Sequence, residues 1–343
     1  LIHVKKDMGQ NTLYRNVWIL NGDSQSLMVY IGNIQRKLSF QKSCKKPEEL
    51  AGNLADISME HGKITKVSLK KERISGKVLS VRDDAIELEG YGSVPLDTEY
   101  KVLKTYGDVK RLPLSEILVG SSSQEFVVAK GMICAVIKER EDTAKQIRVL
   151  ILGDGFQDKT HQTVEISCPG SVKEIQGEEE KELEPGSMVS VTTGDGSCSA
   201  QRLILEPETG TELTVTSLNR SQGHPSYAGR LEILDTEEGL VLVNELPLED
   251  YLKKVVPSEM PASYEKEALK AQAVCARTYA YMQMKSNSYR SYGAQIDDST
   301  QFQVYNNVET DAKTTQAVQE TYGKMLYYDG NPVTAYYFSK SCG

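Results

Sequence analysis

From Lys63 the chain alternates apolar and polar residues in short runs, KITKVSLK, ISGKVLSV, AIELEGYG and EYKVLKTY, each bounded by Gly, Asp or Pro. A period of two sends successive side chains to opposite faces, so these runs predict strands. Ahead of them, residues 1–45 set the turn signal Asn21-Gly22-Asp23 between VWIL and LMVYIG, which predicts a β-meander. Between the two, Lys46-Pro47-Glu48-Glu49-Leu50 reads as a helix start, because proline is tolerated in a first turn and glutamate suits the positive end of the helix dipole. That helix is expected to stop near His61-Gly62, and the β unit to close near Ser121-Ser122-Ser123.

A second β-rich stretch covers about 126–210, with FVVAKGMICAVIKE and IRVLILG as its strongest strands and the charge run Gly177–Glu182 as a solvated hairpin tip. From Thr211 the strands TELTVTSL and GRLEILD lead through LVLVNELPLEDYL into helical sequence. There Leu269, Ala273, Ala276 and Ala280 recur at helical spacing behind Ser263 as N-cap, with Glu265 and Glu267 in the first turn. A face of alanines lets another backbone approach closely, so this helix is expected to be central. The pattern predicts an α+β, multi-domain chain: a β-rich accessory domain with one helix over 1–125, a β-rich domain over 126–210, and a mixed α/β domain with the Ala-rich helix over 211–343.

Composition narrows the function. The 343 residues carry a net charge of −8 with 39% hydrophobic and 26% charged residues, ordinary for a globular protein and opposite in sign to what a phosphate backbone requires. No nucleic-acid partner is expected. No run approaches the roughly 20 apolar residues of a membrane span, and LIHVKKDMGQ lacks the apolar core of a signal peptide. The chain opens on Leu1 rather than Met, so upstream residues are expected to have been removed. Six cysteines are scattered without CxxC spacing or a nearby His, and read as buried thiols.

Chemistry concentrates between Asn244 and Gly343. Glu259 lies in Pro257-Ser258-Glu259-Met260-Pro261, where two prolines stiffen the backbone at a loop-to-helix junction. Rigid placement is what an acid catalyst requires, although a glutamate beside a helix is more often a capping or dipole residue. Arg277, inside the Ala-rich helix, needs an anionic partner. Either it pairs with a structural carboxylate such as Glu249 or Asp250, or it orients Glu259 or a substrate group. A polar loop, Asp297-Asp298-Ser299-Thr300-Gln301-Phe302-Gln303-Val304-Tyr305, and a terminal block, Ala335-Tyr336-Tyr337-Phe338-Ser339, supply the hydroxyls, amides and rings that line carbohydrate clefts.

Taken together, IRVLIL, YAGRLEI, VNELPLEDYLKKVVPSEMP, EALKAQAVCARTYA, DDSTQFQVY, AVQETYGKMLYYDGNPV and AYYFSKSCG resemble the stage II sporulation protein D family over about 147–343. The resemblance implies a peptidoglycan lytic transglycosylase that cuts between N-acetylmuramic acid and N-acetylglucosamine and leaves a 1,6-anhydro end. It makes Glu259 the catalytic acid and Arg277, Ser299, Gln303, Tyr305, Tyr336, Tyr337 and Ser339 the substrate-binding candidates. It implies no cofactor, glycan strands stripped of stem peptides as substrate, a second cell-wall hydrolase as a possible partner, and an extracytoplasmic location from a membrane-anchored or secreted precursor. Some members bind a structural zinc with Cys and His in the polar loop; Asp297, Gln301 and Phe302 stand there in this chain, so no metal is expected. Phe338 replaces a usual His, and the family domain is expected to continue beyond Gly343. Two other readings remain open: a non-catalytic wall-binding module or amidase enhancer, and a hydrolase using Asp297 or Asp298 as second carboxylate.

Overall fold

The computed structural model describes residues 11–45, 48–142, 146–198 and 201–338. It is β-rich, with three α-helices among these residues, none long and apolar enough to cross a membrane.

The first five strands, β1 (Asn11–Gly22), β2 (Ser26–Ile31), β3 (Ile34–Ser39), β4 (Leu54–Glu60) and β5 (Lys63–Lys70), form one antiparallel sheet in the order β3-β2-β1-β4-β5. Their alternation buries both faces. Val17, Ile19, Val29, Ala55 and Ile57 point into the unit's own core, while Trp18, Tyr30 and Leu54 point the other way. The helix expected after Lys46-Pro47 is absent: Lys46 and Pro47 lie outside the described residues, and Leu54–Glu60 is a central strand paired with β1 and β5. Ala55, Ile57 and Met59 alternate inward, and pairing on both edges overrides the local Pro-Glu-Glu signal. His61-Gly62, the expected helix end, is instead the hairpin turn, with positive φ at both residues.

Strands β6 (Arg73–Ile74), β7 (Val78–Val81), β8 (Ala85–Leu88), β9 (Gly92–Lys104), β10 (Lys110–Leu112), β11 (Gln124–Ala129) and β12 (Met132–Lys138) make a second sheet. Leu103, Val127, Ala135 and Ile137 on its outer face pack against Trp18 and Leu54, which stacks the two sheets. The boundary expected at 125/126 therefore falls inside this sheet, since β11 pairs with β6 and with β12, which in turn runs parallel to β9.

Most of the remainder shares a core extending from Ile147 to Val318, with a smaller cluster around Leu150, Val243 and Tyr289, and both draw on residues either side of the boundary expected at 210/211. Its strands are β13 (Gln146–Leu150), β14 (Thr163–Cys168), β15 (Val172–Gln176), β16 (Glu179–Leu183), β17 (Ser187–Thr192), β18 (Leu203–Pro207), β19 (Leu213–Val215), β20 (Ser226–Tyr227), β21 (Arg230–Thr236), β22 (Gly239–Pro247) and β23 (Ile296–Asp297). They divide into a seven-stranded sheet, β16-β15-β18-β21-β22-β13-β23, and a four-stranded one, β17-β14-β19-β20, while Tyr327–Tyr328 and Asn331–Pro332 pair separately as a two-stranded ribbon. The acidic run behaves nearly as expected: Gly177-Glu178 forms the tip, and Glu179–Glu182 continue as an exposed strand. The helices α1 (Leu248–Glu259), α2 (Lys266–Gln283) and α3 (Ala312–Glu320) pack into the same core, with Leu269, Ala273, Ala276 and Ala280 of α2 fully buried. Its N-cap is Glu265, not Ser263.

On the opposite face of the seven-stranded sheet, Arg148, Glu232 and Glu245 form a buried charge cluster. The second sheet completes it: Lys77 Nζ reaches Glu245 at 2.8 Å, Glu87 receives Arg202 at 2.9 Å, and Glu89 receives Arg230 at 2.7 Å. The loop from Asn287 to Gln295 is clamped at this junction. Asn287 donates to the carbonyls of Ser115 and Ile117, Val81 N–H donates to the carbonyl of Arg290, and Gly293 (φ 87°) lies so close that a Cβ there would meet the Leu79 carbonyl oxygen at 2.3 Å.

Among the described residues no disulfide forms; Cys44, Cys134, Cys168 and Cys198 are buried and Cys275 half-buried. Cys342 lies outside them.

Candidate functional site

The motif around Glu259 is built differently from the expected loop-to-helix junction. Residues Leu248–Glu259 are themselves helical, Pro257 sits in the last turn, and Glu259 is the final helical residue. Proline so close to the C-terminus removes only one ladder bond. The last turn docks on the polar loop: Val304 N–H donates to Glu259 Oε1 at 2.6 Å, Asn307 N–H to Ser258 Oγ at 3.1 Å, and Asn306 N–H to the Lys254 carbonyl at 3.4 Å.

Glu259 is half-buried. Burial raises its pKa by penalising the carboxylate, and the Val304 N–H pulls less strongly the other way. Its position at a helix C-terminus, the negative end of the dipole, acts in the same sense as burial. The surrounding side chains are tyrosines. The charge of Glu259 adds to burial in raising the pKa values of Tyr251, Tyr279 and Tyr337. Gln303 holds this ring in place, accepting from Tyr251 Oη at 3.2 Å and donating to Tyr337 Oη at 2.9 Å and the Ala276 carbonyl at 3.2 Å. Tyr336 stands 77% exposed, its ring edge-on to Tyr279.

The structure thus brings Glu259, Gln303 and Tyr337 together, with Tyr336 at the rim. Three sequence candidates lie in the framework instead. Arg277 is 1% exposed and grips Glu249 with two bonds, Nε to Oε1 at 2.7 Å and Nη2 to Oε2 at 2.8 Å. Its remaining donors take the carbonyls of Val318 and Lys324, so it ties the start of α1 to α2 and to the end of α3. Of the two open readings, it takes the structural carboxylate, because full burial leaves a guanidinium no other stable option. Tyr305 is wholly buried, stacked on Tyr251 at 4.8 Å and donating to Asn244 Oδ1 at 2.7 Å; it fixes the loop from inside rather than facing a ligand. Ser299 caps a tight turn, donating to Asp297 Oδ1 at 2.7 Å. Ser339 lies outside the described residues.

The two loop aspartates are buried. Asp298 pairs with Arg220 at 2.8 Å and accepts the Leu152 N–H; burial pushes it up to about 6, against the pull of Arg220. Asp297 Oδ2 accepts the Tyr289 hydroxyl at 2.7 Å, and the same hydroxyl lies 3.3 Å from Gln301 Oε1. Among the described residues no three His, Cys, Asp or Glu side chains gather closely enough to hold a metal ion.

Sequence reasoning named Glu249 as one partner for Arg277 but missed Tyr251, Tyr279 and the Val304 N–H. Once 248–259 is recognised as helical, Tyr251 and Glu259 are eight residues apart and share a face, and this spacing is the signal that could have found Tyr251. The Val304 contact leaves no trace in sequence.

Residues 236–328 match the family described as SpoIID, Stage II sporulation protein. Over this region, about a quarter of its length, the chain is similar to the stage II sporulation protein D family. It is 44% identical over 115 residues to Stage II sporulation protein D of Bacillus subtilis, covering 29% of this chain and 34% of the relative. Over 92 residues it is 46% identical to the Amidase enhancer of the same organism, covering 27% of this chain and 12% of the relative. An uncharacterised protein of Brachyspira hyodysenteriae is 42% identical over 118 residues, 34% of this chain and 32% of that one. The aligned segments therefore span about a third or less of these relatives' own lengths. The family region contains α1, α2, α3, Glu259, Gln303 and the Arg277–Glu249 pair, whereas Tyr336 and Tyr337 follow it.

Proposed function

We propose that this chain acts outside the cytoplasm in cell-wall remodelling of the kind that accompanies sporulation, as a lytic transglycosylase on peptidoglycan glycan strands. One observation carries the reading: a half-buried carboxyl, raised in pKa by burial, fixed by a single backbone N–H and ringed by tyrosines. A carboxyl whose acid form is favoured by burial is suited to serve as a general acid. Protonated Glu259 gives its proton to the oxygen linking N-acetylmuramic acid to N-acetylglucosamine. The C1–oxygen bond breaks through an oxocarbenium-like state, and the new carboxylate takes the proton of the C6 hydroxyl as that oxygen closes onto C1. Water is not consumed, and one carboxylate serves both steps.

A hydrolase requires a second carboxylate beside the bond. The burial of Asp297 and Asp298 against Tyr289 and Arg220 supports the one-carboxylate reaction. Digestion of peptide-stripped glycan in heavy-oxygen water tests this: anhydro ends without label are expected, whereas labelled reducing ends identify a hydrolase. The 46% identity to the Amidase enhancer favours one other reading, a wall-binding module that activates a partner hydrolase. It predicts retention on insoluble wall with no released fragments.

A further inference from the structure

The seam between the first two sheets opens into a cleft of about 210 Å³, and the opening has a specific cause. Asn16 adopts a left-handed backbone (φ 51°) at a bulge where the β1–β4 register shifts between Tyr14 and Val17. Beyond it, Trp18 stays packed in the seam with Tyr30 and Leu103; before it, Leu13 is half-exposed and Arg15 open to solvent. The Asn16 amide, 2% exposed, fixes the far wall by donating to Asp97 Oδ1 and the Glu99 carbonyl at 3.1 Å each.

The cleft combines ring faces with an excess of cations. Tyr14, Trp18 and Tyr30 line it together with Arg15, Lys101 and Arg111, against a single acidic lining residue, Glu99. Glu99 is engaged by Arg15 at 3.8 Å, and Lys101 Nζ donates to the Glu99 carbonyl, not to a carboxylate, at 2.6 Å. Among the described residues no hydrogen bond or ion pair occupies the Arg111 guanidinium. Burial, then the adjacent Arg111, lowers the Lys101 pKa, and the nearby Glu99 and Asp97 charges offset only part of this; the two cations line the cleft together, in a chain of net charge −8.

We infer that this cleft is a binding site for a carboxylated sugar, remote from Glu259, with the carboxylate between Lys101 and Arg111 and the ring against Tyr14 and Tyr30. Guanidinium groups take carboxylates with two bonds, and aromatic faces take sugar rings. The volume lies below the roughly 300–1,000 Å³ of drug-sized pockets, which suits one ring and not a chain. Given the reading of the protein as acting on wall glycan, on which this choice of ligand rests, the sugar is N-acetylmuramic acid whose lactyl carboxylate is free. N-acetylglucosamine, which lacks the lactyl group, is the neutral control.

Trp18 is the only tryptophan of the chain, so its fluorescence reports the cleft directly. The test titrates the full chain carrying Glu259→Gln with N-acetylmuramic acid, N-acetylglucosamine and glycerol phosphate. Saturable binding of N-acetylmuramic acid is expected, roughly tenfold or more above N-acetylglucosamine, weakening with salt and falling by a similar factor in Arg111→Gln. Arg111 is exposed, so that variant keeps the fold; Lys101→Gln is the second check. Equal affinity for the two sugars, binding of neither, or indifference to both substitutions overturns the site. Tighter binding of glycerol phosphate assigns the cations to a phosphate and overturns the sugar. None of these outcomes depends on cleavage, so sugar binding without glycan products contradicts only the proposed reaction, and products without sugar binding contradict only this site.

Discussion

The backbone N–H of Val304 donates to Oε1 of Glu259 at 2.6 Å, joining the last residue of one helix to the centre of a polar loop. A backbone donor cannot be lost by side-chain drift, so the carboxyl is oriented while burial keeps its pKa raised. The acid form of Glu259 is depleted as pH rises through that raised value. Glycan cleavage is therefore expected to lose activity on the alkaline side with a midpoint above the ordinary glutamate range. A pH–rate profile of kcat/KM measures the midpoint; one at or below the free-glutamate value contradicts this reading.

The same shift has a consequence for stability. With its folded pKa above the unfolded one, Glu259 binds protons more tightly in the native state, so its contribution falls as pH rises between the two values. Glu259→Gln retains an oxygen for the Val304 N–H and removes the buried charge. Its Tm is expected to exceed that of the parent at neutral pH, with the gap closing below the ordinary carboxylate range. A lower Tm at neutral pH would show that the carboxylate is not destabilised by its surroundings.

Arg277 and Glu249 form a nearly buried pair that closes the three helices on one another. Removing one partner leaves the other uncompensated, so Arg277→Ala is expected to lose about 3–5 kcal/mol by chemical denaturation. Arg277→Lys keeps the charge but not the two-bond geometry and is expected to recover only part of this. Retention of full stability in Arg277→Ala would return the side chain to a ligand-facing role.

The junction with the second sheet is a further sensitive element. Burial pushes the Glu232 carboxyl up, but Arg148 and Arg202 outweigh it and hold it down at about 2. A depressed carboxylate stabilises above its unfolded pKa, so this contribution is fully present above about 4.5 and is lost as pH falls toward 2. Asn287→Ala removes both bonds to the carbonyls of Ser115 and Ile117. Faster amide hydrogen exchange across 287–305 is expected, with a several-fold fall in cleavage and no global unfolding. Unchanged exchange would mean that the accessory sheet does not support the loop carrying Tyr289 and Val304.

How far the sequence discloses this molecule depends on how local each signal is. The strands Lys63–Lys70 and Arg230–Thr236 and the buried alanine face of α2 are legible because one periodicity governs each. Leu54–Glu60 is not, since its strand state is decided by partners on both edges, one of them more than 30 residues away. Glu259 stands out through its two flanking prolines, yet the helix that carries it is hidden by Pro257, a residue that normally ends helices. Arg277 is legible as needing an anion, while which anion is a matter of three-dimensional distance. The domain seams at 125/126 and 210/211 fail for the same reason: composition shifts there, but strand pairing and the shared core continue across.

The most direct test of the central claim is mass spectrometry of peptidoglycan, intact and peptide-stripped, after incubation with the parent chain and with Glu259→Gln. Anhydromuramic fragments are expected from the parent and none from the folded variant. Fragments released equally by both would contradict the assignment of Glu259 as the acid.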